Sequence, residues 1–504
     1  MKPITTSHQV QAPDTSSDAE RPHTPAHRWA ALMTLAVGLA LIVIDGTIVG
    51  VALPQIIGDL RLDLTEAQWV NSLYSVVFAA LLLGFGSWGD RHGRRRLFTV
   101  GIVVFTLGSA AAAFASAAGP MLLARALQGV GGAMILPATL STVNATFHGR
   151  DRAVAFGIWG AVMSGAAALG PLLGGALTTY ASWRWVFIVN LPLGALVLLA
   201  TVRYVPETRG GFTHRHDLLG NVFAALGLGL LVFGFIEANT LGWWRPMEAL
   251  TIGGVTWPVS APISAAPVAM MLGAVFLAAL LVRERRLTLA DAGPLLDLRL
   301  FRLPTFAWGN VAAGCVAIGE FALVFVLPLF LSIALHQDAM TSGFVLAAMA
   351  LGAFFAGAQA RHAAARFGAP TVVLIGLGLE VVGVAAIAWV LTPSVSLCLL
   401  AACLFVYGVG LGFASAQLTS TVLRDVPVEQ SGMGSATQSS VRQIGAALGS
   451  ALAGSMLAVG LGSASLGADA DTFAHATTLA ILLAGGFLML GFVAATQVAR
   501  AAKA

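Results

Sequence analysis

Charge is scarce in this chain: Asp, Glu, Lys and Arg make up 10% of its 504 residues, where a soluble domain carries about a quarter. A water-soluble globule is excluded. The charges present do not gather on one face. Net charge is +4 and the Arg residues are scattered through short loops, which argues against nucleic acid as a partner. Cysteine is almost missing. Cys315, Cys398 and Cys403 fall inside apolar runs without metal-ligand spacing, so they read as small core residues rather than a disulfide framework or a metal site. Histidine sits mostly in tails and loops, at His92, His148, His214 and His216. No cluster of His, Cys and acids at one membrane face suggests an enzyme. A GxxxxGK(S/T) phosphate loop is absent, so ATP is not indicated as the driving force, and no cofactor is expected.

What is present is apolar. Hydrophobic residues make up 58% of the chain and the mean hydropathy is +0.86. Runs of about 20 apolar residues, each long enough to cross a bilayer as a helix, recur along nearly its whole length. Fourteen are read, at 29–53, 68–87, 97–117, 121–143, 154–176, 185–204, 217–237, 264–283, 305–334, 340–360, 371–391, 396–422, 434–460 and 477–499. The expected fold class is an all-α membrane protein. Residues 1–28 read as a disordered cytoplasmic tail, not a signal peptide, and 238–263 as one long outer loop, mildly apolar. With the amino terminus inside, cytoplasmic loops and tails collect 22 of the 27 Lys and Arg. Outer loops hold Arg61, Arg184 and Arg245, and Arg125 and Arg442 lie within spans. This asymmetry is the positive-inside rule, and it places both termini in the cytoplasm.

The two halves echo one another. "GVGGAMILPATLSTV" (129–143) matches "GVGLGFASAQLTSTV" (408–422) at a shift of 279 residues. "DRHGRRR" after the second span aligns with "ARFGAPT" after the tenth at a shift of 275, and Pro54 aligns with Pro328 at 274. Duplication explains three matches in chain order. The expected organisation is a six-helix bundle over 29–204, an inserted helix pair over 205–304, and a second six-helix bundle over 305–504. Two such halves flanking a midplane site are transporter architecture.

Four stretches combine residues that packing alone does not call for. "GSWGDRHGRRR" (86–96) is a tight inner loop in which Gly86, Gly89 and Gly93 accompany Asp90 and the cluster Arg91, Arg94, Arg95 and Arg96. The arginines suit the inner face. Asp90 is placed to accept from a helix amino terminus or to pair with an Arg across the halves. In the fourth span, Arg125 and Gln128 precede Gly129. In the fifth, Gly165, Gly170, Gly174 and Gly175 form a small-residue stripe fit for close helix approach, bent at Pro171. "WRWVFIVNLPLG" (183–194) opens the sixth. Together these motifs resemble the major facilitator superfamily, specifically its fourteen-span drug:proton antiporter branch (EmrB/QacA-type), over residues 29–500. The resemblance implies that the 86–96 loop gates the inner face, that Arg125 faces the cavity and takes part in proton transfer, and that "LGPLLGG" marks an exporter rather than an uptake symporter. The family's first-span signature matches Asp45, Thr47, Ala52, Leu53 and Pro54, but it usually has Asn where Gly50 stands here.

Acids within spans are rare and mark functional sites. Asp45 lies roughly 13 Å from the outer end of its helix, at a depth suiting Arg125 as counter-ion. Glu320 is its mate in the repeat to within one residue, a helix rotation of about 100°. Asp45, Glu320 and Arg125 are the expected proton-coupling groups. Gln128, Glu380, Phe321 and Phe325 join Asp45 and Glu320 in the expected substrate cavity, the two rings one turn apart and suited to flat hydrophobic cations. The expected activity is proton-coupled export of hydrophobic or cationic small molecules by a monomer in the cytoplasmic membrane. Its alternatives are a proton-coupled uptake symporter, or an exporter dedicated to one endogenous metabolite.

Overall fold

The computed structural model describes residues 25–147, 149–209, 217–252, 255–290, 296–427 and 430–502. Most of the expected amino-terminal tail lies outside the described residues, but its last four residues are already helical. Proline suits a first helical turn, where its missing N–H goes unmissed, and α1 runs Pro25–Leu60. There follow α2 (Leu64–His92), α3 (Arg94–Ala113), α4 (Ala118–Thr146), α5 (Gly149–Tyr180), α6 (Trp185–Ile188), α7 (Asn190–Tyr204) and α8 (Leu218–Leu241). After a hairpin of β1 (Leu250–Ile252) and β2 (Val255–Trp257) come α9 (Ala265–Leu289), α10 (Pro304–Leu329), α11 (Ala339–Phe367), α12 (Ala369–Val390), α13 (Leu397–Val422), α14 (Ser431–Leu461) and α15 (Ala470–Ala501).

Each expected apolar run coincides with one of these helices, or with the α6–α7 pair. Among the described residues, twelve helices are long and apolar enough to cross a membrane, and a bent pair within α2 makes a thirteenth candidate. The expected span 185–204 is broken at Val189. Pro192 has no N–H to offer the Ile188 carbonyl, which weakens the helix at that point. The expected outer loop 238–263 is partly ordered. Its middle pairs antiparallel, Leu250 opposite Trp257. Of the three cysteines only Cys315 is buried. Cys398 is exposed and Cys403 half-buried, so the core reading fails for Cys398.

The repeat is written into the backbone. Arg61 and His336, 275 residues apart, are the two described non-glycine residues with positive φ, at 53° and 51°. Asp63 caps α2 by accepting from Glu66 N at 2.7 Å, and Asp338 caps α11 by accepting from Thr341 N at 2.8 Å. Gly93 and Gly368, also 275 apart, end α2 and α11 at φ 117° and 83°. Each glycine N–H donates back to the helix, to Gly89 O and Ala364 O, both at 2.9 Å. Pro54 and Pro328 differ by 274, and the change of shift has a visible cause. Between Pro328 and His336, residues Phe330–Ala334 form a π-turn, which accommodates one extra residue in a helix.

The two ends of the first helix group pack differently. The end carrying Arg61, Arg184 and Arg245 is called the Arg-poor end below. One hydrophobic cluster joins Ile48, Val51, Leu53 and Ile56 of α1 with residues from all of α10–α15. A separate cluster, built on the other halves of α1–α5 and α7, includes Leu32, Phe78, Phe98 and Val143. Among the described residues, the large cluster that links the two helix groups meets the first group on its Arg-poor side. There, Thr179 Oγ1 accepts from Met340 N at 2.9 Å and the hydroxyls of Ser72 and Ser450 lie 2.7 Å apart.

The glycine stripe of α5 explains how backbones come so near. Gly174 lies against α1, where a Cβ would sit 2.9 Å from Ile48 O, and Gly175 against α11, where it would sit 2.7 Å from Ala339 O. Gly343 returns the contact on Pro171 O at 2.6 Å. Gly170 abuts Thr47, whereas Gly165 faces open space. Gly50 belongs to the same seam. A Cβ there would stand 3.1 Å from Val324 O of α10, so the departure from the family's Asn has a steric reason here. Gly175→Val should force the seam apart, because the obstacle is backbone. With Thr179→Cys and Met340→Cys as reporters, we expect efficient cross-linking in the parent background and a several-fold loss with Gly175→Val.

Candidate functional site

The first site is built from one acid and the groups that surround it. Asp45 on α1 is fully buried, as is Arg125 on α4. Arg125 Nη1 donates to Asp45 Oδ2 at 2.6 Å and to Gln128 Oε1 at 2.8 Å. Gln128 Nε2 donates to Asp45 Oδ1 at 2.8 Å and to Ser109 Oγ at 2.8 Å. Asn190 Nδ2 reaches the same Asp45 oxygen at 3.3 Å and Ser109 at 3.1 Å. The guanidinium is held on its other side. Its Nε donates to Val70 O at 3.0 Å, and its carbon lies 4.8 Å from the centre of the Tyr74 ring.

The arrangement is a neutral unit as a whole. Its ion pair is short and supported by charge-assisted bonds. Such a pair contributes little net stability, but removing one partner leaves a bare charge. The attraction between them rests on the charge of the Asp45 carboxylate, which a bound proton would cancel. The sequence located Asp45, Arg125 and Gln128, and the structure brings them together. It missed Asn190 and Ser109. The signal for Asn190 was a lone amide inside an apolar span. The break at Val189 begins α7 at Asn190.

The second acid behaves differently. Glu320 on α10 is 15% exposed and stands 3.7 Å from Arg442 on α14, itself 41% exposed. Glu320 Oε2 has no hydrogen-bond partner. The π-turn accounts for its orientation. With the 274-residue shift that holds above that turn, Asp45 corresponds to Gly319, which packs on Leu488 of α15. Glu320 is therefore turned about 100° away, toward α14. Arg442 lies beside Ser415, Thr419 and Gln438.

Other expected site residues are placed less favourably. Phe321 is half-buried, but Phe325 is fully buried in the core and presents no free face, so it does not serve as a stacking surface here. Glu380 is buried between α12 and α13, with Gly410 backed against its Cγ, and not in the gap between the groups. Asp90 does not pair across the halves. It accepts from Arg94 Nε at 2.7 Å, while Arg94 Nη1 donates to Ser141 O at 3.0 Å. Arg95 N donates to Glu207 Oε1 at 3.1 Å. The reason is positional: the helix groups are joined at the opposite end. The expected inner loop 86–96 is mostly helix: Gly86 and the exposed Arg91 belong to the end of α2, Arg94 and Arg95 open α3, and Gly93 alone connects them.

Comparison with known proteins now decides the family. The pattern of the Major Facilitator Superfamily matches residues 35–450. The chain belongs to this superfamily. Its members' common architecture accounts for the repeat, and it makes the protein a transporter rather than an enzyme. Among curated superfamily relatives, the multidrug efflux pump LfrA of Mycolicibacterium smegmatis is 32% identical over 86% of this chain and 81% of its own. The puromycin resistance protein pur8 of Streptomyces alboniger is 32% identical over 93% of this chain and 90% of its own. Among solved structures, a bacterial homolog of the human lysosomal transporter Spinster, inward-facing and occupied, superposes with a TM-score of 0.63. That match has 17% identity and covers 95% of this chain and 98% of the other, so the likeness is one of fold.

Within this superfamily member, Arg125→Met should strand a buried carboxylate, a loss of about 3–5 kcal/mol. Asp45→Asn in the same chain should recover most of it, since no bare charge remains. Thermal melting of both variants in detergent checks this, and equal losses would contradict the pairing.

Proposed function

We propose that this protein is a proton-driven exporter of hydrophobic or cationic small molecules, of the fourteen-span drug:proton antiporter branch. The observation that carries the reading is the buried Asp45–Arg125 pair, whose bond depends on a single proton. Its relatives named as a multidrug efflux pump and a puromycin resistance protein support the cargo class. In this reading α2 is one bent span, α6–α7 another, and α5 completes the fourteen together with the remaining long helices. The first bundle is α1–α7, the second α10–α15, and α8–α9 are the inserted pair. The chain works as a monomer in the cytoplasmic membrane with both termini inside, and it uses neither ATP nor a cofactor.

The loop charges make the Arg-poor end the outer one. The seam of α5, α1, α11 and α10 then closes the outside, and Glu320 with the exposed Arg442 is approached from the cytoplasm. Cargo enters from the cytosol or the inner leaflet. Once the outer seam has opened and cargo has left, a proton from outside neutralises Asp45 and frees Arg125, which removes the tie between α1 and α4. Glu320 takes the positive group of a cationic cargo, in competition with Arg442. On the way back the proton leaves to the cytoplasm and the ion pair re-forms. The loop 86–96 closes the inside when the outer seam opens.

Inside-out vesicles with an imposed proton gradient test this. A hydrophobic cation such as ethidium should be accumulated by the parent and dissipate the gradient. Asp45→Asn should lower that response at least tenfold, and Glu320→Gln should weaken it for cations. Proton movement in the same direction as the cation, or full activity of Asp45→Asn, would overturn the reading.

A further inference from the structure

Glu380 is a fully buried acid within a span that the cycle above does not use. It is fully buried, and neither carboxylate oxygen has a hydrogen-bond partner. Tyr407 on the facing helix is also fully buried, and its hydroxyl too has no partner. The two are held side by side by reciprocal glycines. A Cβ on Gly410 would lie 2.6 Å from Glu380 N, and one on Gly383 would lie 2.8 Å from Tyr407 N.

The first half shows what this helix pair needs for packing alone. There a Cβ on Gly131 would lie 2.6 Å from Phe105 N, and one on Gly108 would lie 2.8 Å from Gln128 N. Gly131 and Gly410 are 279 residues apart and Phe105 and Glu380 are 275 apart, matching the shifts of the repeat. Glu380 thus occupies the place of a buried phenylalanine, and Tyr407 that of the Gln128 which serves Asp45. The same joint is made with an apolar ring in one half and an acid in the other. An ionised carboxylate without partners in such a place is very unfavourable, so the acid is neutral in this conformation.

We propose that Glu380, with Tyr407, is a second proton-exchanging site, in the second bundle and separate from the Asp45 cluster. The groups around it are few. Glu320 on α10 and Arg442 on α14 lie within its electrostatic range, and Tyr407 is the titratable group facing it from α13. The facing stretch of α15, residues 485–492, carries no titratable side chain. Glu320, ion-paired with Arg442, is the acid within electrostatic range to which a proton leaving Glu380 would pass. Its transfer from one carboxyl to the other leaves the total charge unchanged, and Arg442 is the counter-charge available to either anion.

Infrared difference spectroscopy on the full chain in lipid nanodiscs, titrated from mildly acidic to alkaline pH, tests this without any transported molecule. Its failure is therefore separable from failure of the export reading. A neutral carboxyl in apolar surroundings gives a C=O stretch that shifts in D2O. We expect a band that disappears on raising pH, is lost in Glu380→Gln and Glu380→Phe, and persists in Asp45→Asn. Tyr407→Phe should move the pH of its disappearance. Glu380→Phe, which installs the first half's own residue, should melt no lower than the parent. A spectrum unchanged by Glu380→Gln would sink the proposal. So would a Glu380 band that survives at every pH, which would mean a fixed neutral acid.

Discussion

A carboxylate inside an apolar helix has to find its counter-charge within the protein, because no water is there to supply one. Asp45 imposes that requirement on the first half of this molecule. Its two oxygens take bonds from Arg125, Gln128 and Asn190, so α1, α4 and α7 are registered against one another at a single depth. Ser109 on α3 accepts from both amides and brings in a fourth helix. The unit satisfies its polar groups internally, so its members depend on one another, and losing any one leaves a buried polar group unpaired.

The second constraint is steric. Lipid gives helices little reason to associate through hydrophobicity, so contact depends on how closely backbones approach. Gly50, Gly174, Gly175 and Gly343 provide that approach along one seam. The stripe on α5 is two-sided, with Gly170 and Gly174 against α1 and Gly175 with Pro171 against α11. A motif that carries no chemistry thereby sets how closely α5 approaches α1 and α11.

Much of the architecture was legible beforehand. Apolar runs of span length located every long helix, since bilayer thickness leaves few alternatives. The repeat was visible from "GVG" and "STV", and the backbone bears it out at Arg61 and His336. Asp45 and Arg125 were legible as partners because both are costly and lie at similar depth. Phe325 and Asp90 were misjudged for a common reason. Whether a ring faces core or cavity, or an acid reaches across a gap, depends on the relative position of two bodies, which no local pattern encodes.

Glu320 shows the division most clearly. Its presence at the depth of Asp45 follows from composition and spacing. Its direction does not, because one residue inserted in a π-turn at Phe330–Ala334 rotates everything before it by about 100°. The sequence by itself determined the class of protein, the helices, the duplication and the acids that matter. Tertiary structure alone decided their company: Asn190 and Ser109 joined Asp45, Arg442 faced Glu320, and Glu380 was sealed beside Tyr407. Helix formation depends on neighbours in the chain, whereas the partner of a buried charge depends on which helices pack around it.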